Sequence, residues 1–337
     1  MEFARWSMAP VGLLPVVTFL LLLVYLDSYR LVKLRLVLVL IVAGGLVAGT
    51  CYWINGQLLG LLPMDLAHYS RWVAPVVEEA GKALVIVYLF RSHRIGFLVD
   101  SAILGFAVGA GFALVENFYY LHLSEDTSLV IWIVRGFGTA LMHGGVVAIF
   151  GVMSQTLAER SMKIHPGYFV PGWLVAVAVH SIFNHFYVSP VMSTVGTVLT
   201  LPPLLYLVFW ISERRTHDWL EADFDEDSAL IRMIDSGDFS STHAGVFLAG
   251  MQHTLEGPVV ADMLCYLRLY TELALRAKGV LLMRENGLDV PMDASTRDKF
   301  TELRYLEKSI GATGCLAMRP FLQMTHKDLW QMYVLDE

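Results

Sequence analysis

Acidic, basic and imidazole side chains interrupt several long apolar stretches of this sequence. Ionisable groups are costly to place in lipid, so they face a protein interior or a water-filled cavity and often mark function. Two imidazoles and a carboxylate from three helices would form a plausible zinc site. A further carboxylate could activate water, and a neutral amide could donate to a developing oxyanion, which together fit hydrolysis of an amide bond. The candidate residues are Glu78, Glu79, Lys82, Glu116, His143, His180 and Asn184.

The elements that carry these residues are predicted to be membrane helices. Of the 337 residues, 56% are hydrophobic and 16% charged, whereas about a quarter of an ordinary soluble domain is charged. A helix needs about 20 mostly apolar residues to cross a bilayer. Seven stretches qualify, namely 8–27, 36–54, 68–90, 97–121, 128–153, 169–188 and 191–211. We therefore predict an all-α, polytopic membrane helix bundle of about seven transmembrane helices with a C-terminal helical cytoplasmic tail domain.

The charge distribution divides the chain in two. Residues 1–212 carry 11 basic and 10 acidic residues, whereas residues 213–337 carry 13 and 21. We predict a transmembrane domain at 1–212 and an acidic, mainly helical cytoplasmic domain at 213–337, with an acidic, solvated linker at 223–227. Apolar residues at three- and four-residue spacing predict tail helices at 258–285 and 296–310. The formal net charge of −7 gives no support to a basic face, which nucleic-acid binding usually needs, so no nucleic-acid partner is expected.

Lysine and arginine residues in the short loops predict the orientation, because they are enriched on the cytoplasmic side. Two basic residues, Arg5 and Arg71, fall on one side of the predicted membrane. Nine fall on the other side, namely Arg30, Lys33, Arg35, Arg91, Arg94, Arg160, Lys163, Arg214 and Arg215. The N-terminus is therefore predicted outside and the C-terminal domain in the cytoplasm.

Residue spacing predicts that the polar groups converge on one cavity. Gly105, Gly109 and Ala113 form a row of small residues that allows close helix approach, and Glu116 follows Gly109 on the same face. At about 1.5 Å of rise per residue, His143 comes out somewhat deeper in the bilayer than the other candidates. Lys82 follows Glu78 by four residues, which predicts that it offsets the charge of that carboxylate.

The motifs also resemble a known family. EEAGK at 78–82 and FALVEN at 112–117, followed by histidines at 143 and 180, resemble the PrsW family of intramembrane proteases. This family is distantly related to the CAAX-prenyl and bacteriocin-processing membrane proteases. The resemblance covers about residues 68–188 and implies a multi-pass protein of the bacterial plasma membrane. It also implies cleavage of a membrane-anchored protein substrate, with anti-sigma factors as one class.

Site roles follow from combining the resemblance with the chemistry above. We assign Glu78 as the general base, Glu79 as an assisting group and Lys82 as the residue that holds Glu78. Asn184 is assigned to donate a hydrogen bond to the developing oxyanion. The predicted metal ligands are Glu116, His143 and His180, with zinc as the expected ion. A metal-free mechanism with two glutamates and a histidine stays open.

Two other functions are compatible with the same residues. Chains of Glu, Lys and His also relay protons, so a proton-coupled transporter or channel is the main alternative. A membrane scaffold whose tail binds a partner is the second. The sequence has no HExxH and no G-x-S-x-G motif, which argues against a site-2-type zinc protease and a serine hydrolase.

Overall fold

The computed structural model describes residues 6–123, 128–159, 164–288 and 294–322. Within these ranges every regular element is a helix, which confirms the all-α prediction. The longer helices are α1 (Ala9–Tyr25), α2 (Leu34–Leu61), α3 (Leu66–Trp72), α4 (Ala74–Arg91), α5 (Leu98–Leu123), α6 (Leu129–Ala158), α7 (Val170–His185), α8 (Pro190–Ser236), α9 (His243–Met251), α10 (Gly257–Glu285) and α11 (Ala294–Met318). Short 3₁₀ helices occupy Pro166–Tyr168, Asp238–Ser241 and Arg319–Phe321.

Five of the described helices are long and apolar enough to cross a membrane, namely α2, α5, α6, α7 with its preceding turn, and α8. α1 has 17 residues, and α4 has 18 residues, four of them charged. The count of seven crossings is therefore not confirmed. The predicted orientation stays a prediction, and three of its basic residues, Arg5, Arg160 and Lys163, lie outside the described residues.

The predicted stretch 68–90 is not one continuous helix, because the helix is interrupted at Val73, between α3 and α4. Proline has no backbone N–H, so Pro75 cannot donate to the carbonyl of Arg71 four residues earlier. The Ser181 hydroxyl of α7 donates to that carbonyl instead, at 2.6 Å. The Asn184 side chain, one turn further along α7, donates to the neighbouring Ser70 carbonyl at 2.9 Å. The break is thus held by two polar side chains of α7.

α5 lies at the centre of the bundle, and its residues from Leu98 to Ala113 are buried. Its small residues allow the backbones to approach closely, as predicted. A Cβ atom added at Gly105 would lie 2.6 Å from the Val147 carbonyl oxygen of α6, and one at Gly109 would lie 2.1 Å from that of His143. At the start of α5, the buried Asp100 accepts hydrogen bonds from two backbone N–H groups, which gives it a capping role.

The chain divides into two compact units, and the second comprises Glu159 and the chain from Arg214 onward. The boundary between Glu213 and Arg214 falls inside α8, which continues to Ser236, beyond the predicted membrane stretch 191–211. The predicted linker at 223–227 is also wrong, because these residues are helical. Within the second unit, Asp223 and Asp227 lie one turn apart and both pair with the buried Lys278 of α10, at 3.5 and 2.7 Å.

The tail prediction of helices at 258–285 and 296–310 is confirmed by α10 and α11. Their apolar faces form a core that includes Met263, Leu267, Leu273, Phe300 and Leu303. The second unit therefore has its own hydrophobic core. The assignment of residues 213–337 as a cytoplasmic domain stays a prediction.

We expect Gly109→Ala to destabilise the first unit by about 1–3 kcal/mol, the usual cost of overpacking. The new methyl group would meet a backbone oxygen, so α5 and α6 would have to separate at His143. Thermal unfolding in detergent measures the effect. Gly196→Ala in α8, where nothing lies within 4 Å of the new atom, is the matched control. Equal melting temperatures for the two variants would contradict the close approach.

Candidate active site

A buried ion pair lies at the centre of the predicted site. Lys82 donates to Glu79 Oε1 at 2.7 Å, and the two side chains are only 1% and 2% exposed. The ammonium group thus pairs with the residue three positions back, and the described residues show no direct contact between Lys82 and Glu78, so the role of Lys82 in holding Glu78 stays a prediction. Glu79 Oε1 also lies 2.7 Å from His180 Nδ1. Since an ionised carboxylate only accepts hydrogen bonds, this nitrogen carries a hydrogen, and in the neutral imidazole the lone pair is then on Nε2.

His143 connects the ion pair to Glu116. Its Nδ1 lies 2.8 Å from Lys82 Nζ, and its Nε2 lies 3.0 Å from Glu116 Oε2. An ammonium group can only donate, so Nδ1 accepts and Nε2 donates to Glu116. Side chains on a helix lean toward its N-terminus, which lets Glu116 reach back toward the level of Gly109 and His143. The depth difference expected for His143 therefore does not keep it from the other groups.

Arg135 holds the other oxygen of Glu116 and lies in a π-helical turn, Val134–Thr139, within α6. Its guanidinium group donates to Glu116 Oε1 at 3.1 Å and to Asn117 Oδ1 at 2.9 Å. It also lies over the ring of Tyr120, 3.7 Å from the ring centre. π-Helical turns occur often at functional sites. Glu116 is thus fixed between a cation and an imidazole on the same helix.

Glu78 lies beside His180 and is held by α2. Glu78 Oε2 is 3.9 Å from His180 Nε2. Its other oxygen accepts a hydrogen bond from Asn55 Nδ2 at 3.2 Å. Asn55 Oδ1 in turn accepts one from the Tyr69 hydroxyl at 2.9 Å. Glu78 and Glu79 both lie beside His180, but at different ring nitrogens, and their other partners are Asn55 and Lys82 respectively, so they are not interchangeable.

Three of these side chains are arranged to hold a metal ion. Ligand atoms of Glu78, His143 and His180 lie within 4.8 Å of one another. Two imidazoles and one carboxylate are a common ligand set of catalytic zinc sites. Around these ligands lie three carboxylates, from Glu78, Glu79 and Glu116, and two cationic side chains, from Lys82 and Arg135. The excess of negative charge favours the binding of a cation. Glu116, predicted as the third ligand, is outside this group and contacts His143 and Arg135.

A cavity of about 680 Å³ opens onto the cluster. Glu78 and Glu116 are both among its lining residues, beside apolar and aromatic side chains such as Phe112 and Tyr119. The cavity therefore brings two carboxylates to a largely apolar space. Pockets of this size and composition are typical of ligand sites.

Asn184 does not join the other predicted site residues. Its amide nitrogen donates to the Ser70 carbonyl at the break between α3 and α4, and it is not among the cavity residues. Its contact is thus with the backbone of a neighbouring helix. This geometry assigns Asn184 to positioning helices and gives no support to its predicted oxyanion role.

Sequence reasoning missed two residues of the site. Arg135 is a charge within the predicted stretch 128–153, but nothing in its spacing indicates Glu116 as its partner. Asn55 is a neutral amide directly after the predicted stretch 36–54, so no charge within a predicted membrane helix marks it. The apolar residues that continue after Asn55, up to Leu62, are the signal that could have placed it inside a helix.

Comparison with known protein families gives a match over the region that contains the site. A family model described as PrsW family intramembrane metalloprotease matches residues 33–211, more than half of the 337-residue chain. The matched region contains all seven candidate residues and also Asn55 and Arg135. No curated protein and no solved structure matches the chain significantly.

We expect Lys82→Met to destabilise the first unit by about 3–5 kcal/mol, because it leaves the buried Glu79 carboxylate without its cation. The double variant Glu79→Gln/Lys82→Met should recover part of this loss, because it removes both charges. Chemical denaturation in detergent measures both. Lys308→Met, at an exposed lysine of the second unit, is the control. A single variant as stable as the wild type would contradict the pairing.

Proposed function

The chain belongs to the PrsW family of intramembrane metalloproteases, and we propose that it hydrolyses a peptide bond of a membrane-anchored protein at the cavity lined by Glu78 and Glu116. One observation carries this proposal, namely that Glu78 both lines that cavity and belongs to a metal-compatible cluster with His143 and His180. Family membership makes the chain a peptidase and an integral membrane protein. It thereby favours proteolysis over the transporter that the polar residues alone left open.

Glu78, His143 and His180 would hold the metal, for which zinc is the ion we propose. When bound, a divalent cation supplies Lewis-acid polarisation of the scissile carbonyl and increases the acidity of water. Glu79 orients His180 through the hydrogen bond to Nδ1 and leaves Nε2 free as a ligand atom. Such carboxylate–histidine pairs fix the ring orientation of metal ligands. His143 would exchange one of its two present partners for the ion.

Glu116 is the cavity carboxylate outside the metal group, and we assign it the proton transfer. It accepts a proton from the attacking water and passes it to the leaving amine. Arg135 fixes the position of this carboxylate from one side and His143 from the other. The roles of Glu78 and Glu116 are thereby exchanged relative to those assigned from the sequence.

The substrate is proposed to be a membrane-anchored protein with a segment that unwinds locally. The lining of the cavity is mainly apolar, which suits residues from a transmembrane segment. A helix keeps its backbone groups bonded internally, so its carbonyl groups become accessible only where it opens. Segments with Gly or Pro open most readily. Anti-sigma factors are one class that fits, and the bacterial membrane and the cytoplasmic location of the tail remain part of the proposal.

Cleavage is tested with a panel of single-span proteins tagged at both ends, whose spans carry a Gly-Pro pair at different depths. We expect the purified protein in liposomes to cleave members of the panel within the span, with fragments mapped by mass spectrometry. Removing the metal with a chelator, or changing His180 to Ala, should abolish cleavage, and added Zn²⁺ should restore only the chelated wild type. Cleavage that survives both treatments would overturn the proposed metal site.

The exchanged roles of the two glutamates predict opposite results for two matched variants. Glu78→Gln should lose the metal, because it removes a ligand. Glu116→Gln should keep the metal but lose about 10²–10⁴-fold in kcat, the usual contribution of a general base. Metal content per protein and cleavage rate are measured on the same samples. Metal loss in Glu116→Gln with retention in Glu78→Gln would support the original assignment and reject the exchange.

A further inference from the structure

We propose that Asn55 of α2 is a catalytic residue that donates a hydrogen bond to the oxyanion formed from the scissile carbonyl. This inference rests on the proposed function, because it concerns the same cavity and the same reaction. It adds a residue from a helix that none of the predicted site residues occupies. Three features of Asn55 support the role, namely its place in the cavity, the orientation of its amide and the hydrogen-bond donor that it has left.

Asn55 lies where a substrate carbonyl must come. It lines the cavity together with Glu78 and Glu116, and its amide nitrogen lies 3.2 Å from Glu78 Oε1. A carbonyl next to the metal-compatible cluster and within reach of Glu116 must enter this space. Asn55 is half-buried, so its amide contacts both the protein and the cavity.

The orientation of the amide is fixed by its two partners. The Tyr69 hydroxyl donates to Asn55 Oδ1 at 2.9 Å, and Tyr69 is itself only 2% exposed. A carboxylate can only accept, so Nδ2 must face Glu78. An amide nitrogen carries two hydrogens, and the bond to Glu78 uses one. The second hydrogen is left for a group in the cavity.

Amide hydrolysis needs a donor at this position. Attack of water on the carbonyl carbon forms a C–O bond and moves the carbonyl π-electron pair onto the oxygen. Collapse of this state breaks the C–N bond, and the proton taken from water goes to the leaving amine. A donor held in place before the reaction stabilises the charge on oxygen without reorganising. Asn55 meets this requirement, whereas Asn184 already donates to the Ser70 carbonyl.

The first test measures kcat and KM separately on the best-cleaved member of the single-span panel. Asn55→Ala and Asn55→Asp should each lower kcat by about 10²–10³-fold, the usual effect of removing one oxyanion donor, with KM and metal content unchanged. Tyr69→Phe should cause a smaller loss, because the amide remains but is free to turn. Gln57→Ala, at an exposed amide two residues further along α2, is the control and should cleave normally.

The second test uses binding, with a phosphinic peptide that copies the mapped cleavage segment. Its tetrahedral, negatively charged phosphinate resembles the oxyanion, so Asn55→Ala should weaken its binding by the same factor as kcat/KM. Binding of the uncleaved substrate should not change. Wild-type kcat in Asn55→Ala, or loss of metal together with cleavage, would overturn the oxyanion role. A wild type that cleaves no panel member would instead reject the proposed function itself.

Discussion

The buried ammonium group of Lys82 is the constraint on which the site depends. A charge in a low-dielectric interior is tolerated only with good partners. Here the partners are Glu79 and His143, with the ring of Phe112 3.9 Å away. Because Glu79 also binds His180, this one cation fixes side chains on three helices. Removing this cation would leave the Glu79 carboxylate and the imidazoles of His143 and His180 without the group that fixes their positions relative to one another.

Close backbone packing provides the setting for this charge network. Gly109 allows α5 to approach the backbone of α6 at His143 itself. The same approach places Glu116 within reach of the imidazole. Polar groups and small residues are therefore parts of one arrangement. The small residues bring the helices together, and the polar groups then find partners without water.

Much of this arrangement could be predicted from the sequence, and the failures have physical causes. Intramembrane charges indicated Glu78, Glu79, Lys82 and Glu116, because a charge within an apolar stretch is too costly to face lipid and must turn inward. The partner of Lys82 could not be predicted, since spacings of three and four residues are both compatible with a helix. The break before α4 was missed although Pro75 marks it, because apolar composition alone does not distinguish one helix from two. Asn55 was missed because a neutral amide leaves little trace in composition.

The π-helical turn in α6 lets two residues of that helix contact the same carboxylate, that of Glu116. Arg135 and His143 are eight residues apart, which in a regular α-helix would separate their directions by about 80°. Both nevertheless contact Glu116. A π-helical turn takes up one extra residue. The angle between the two side chains is therefore reduced from about 80° to about 20°, which places both on the same face of α6. If the same eight residues were wound as a regular α-helix, the two side chains would diverge, and Glu116 would lose either the guanidinium group or the imidazole as a partner.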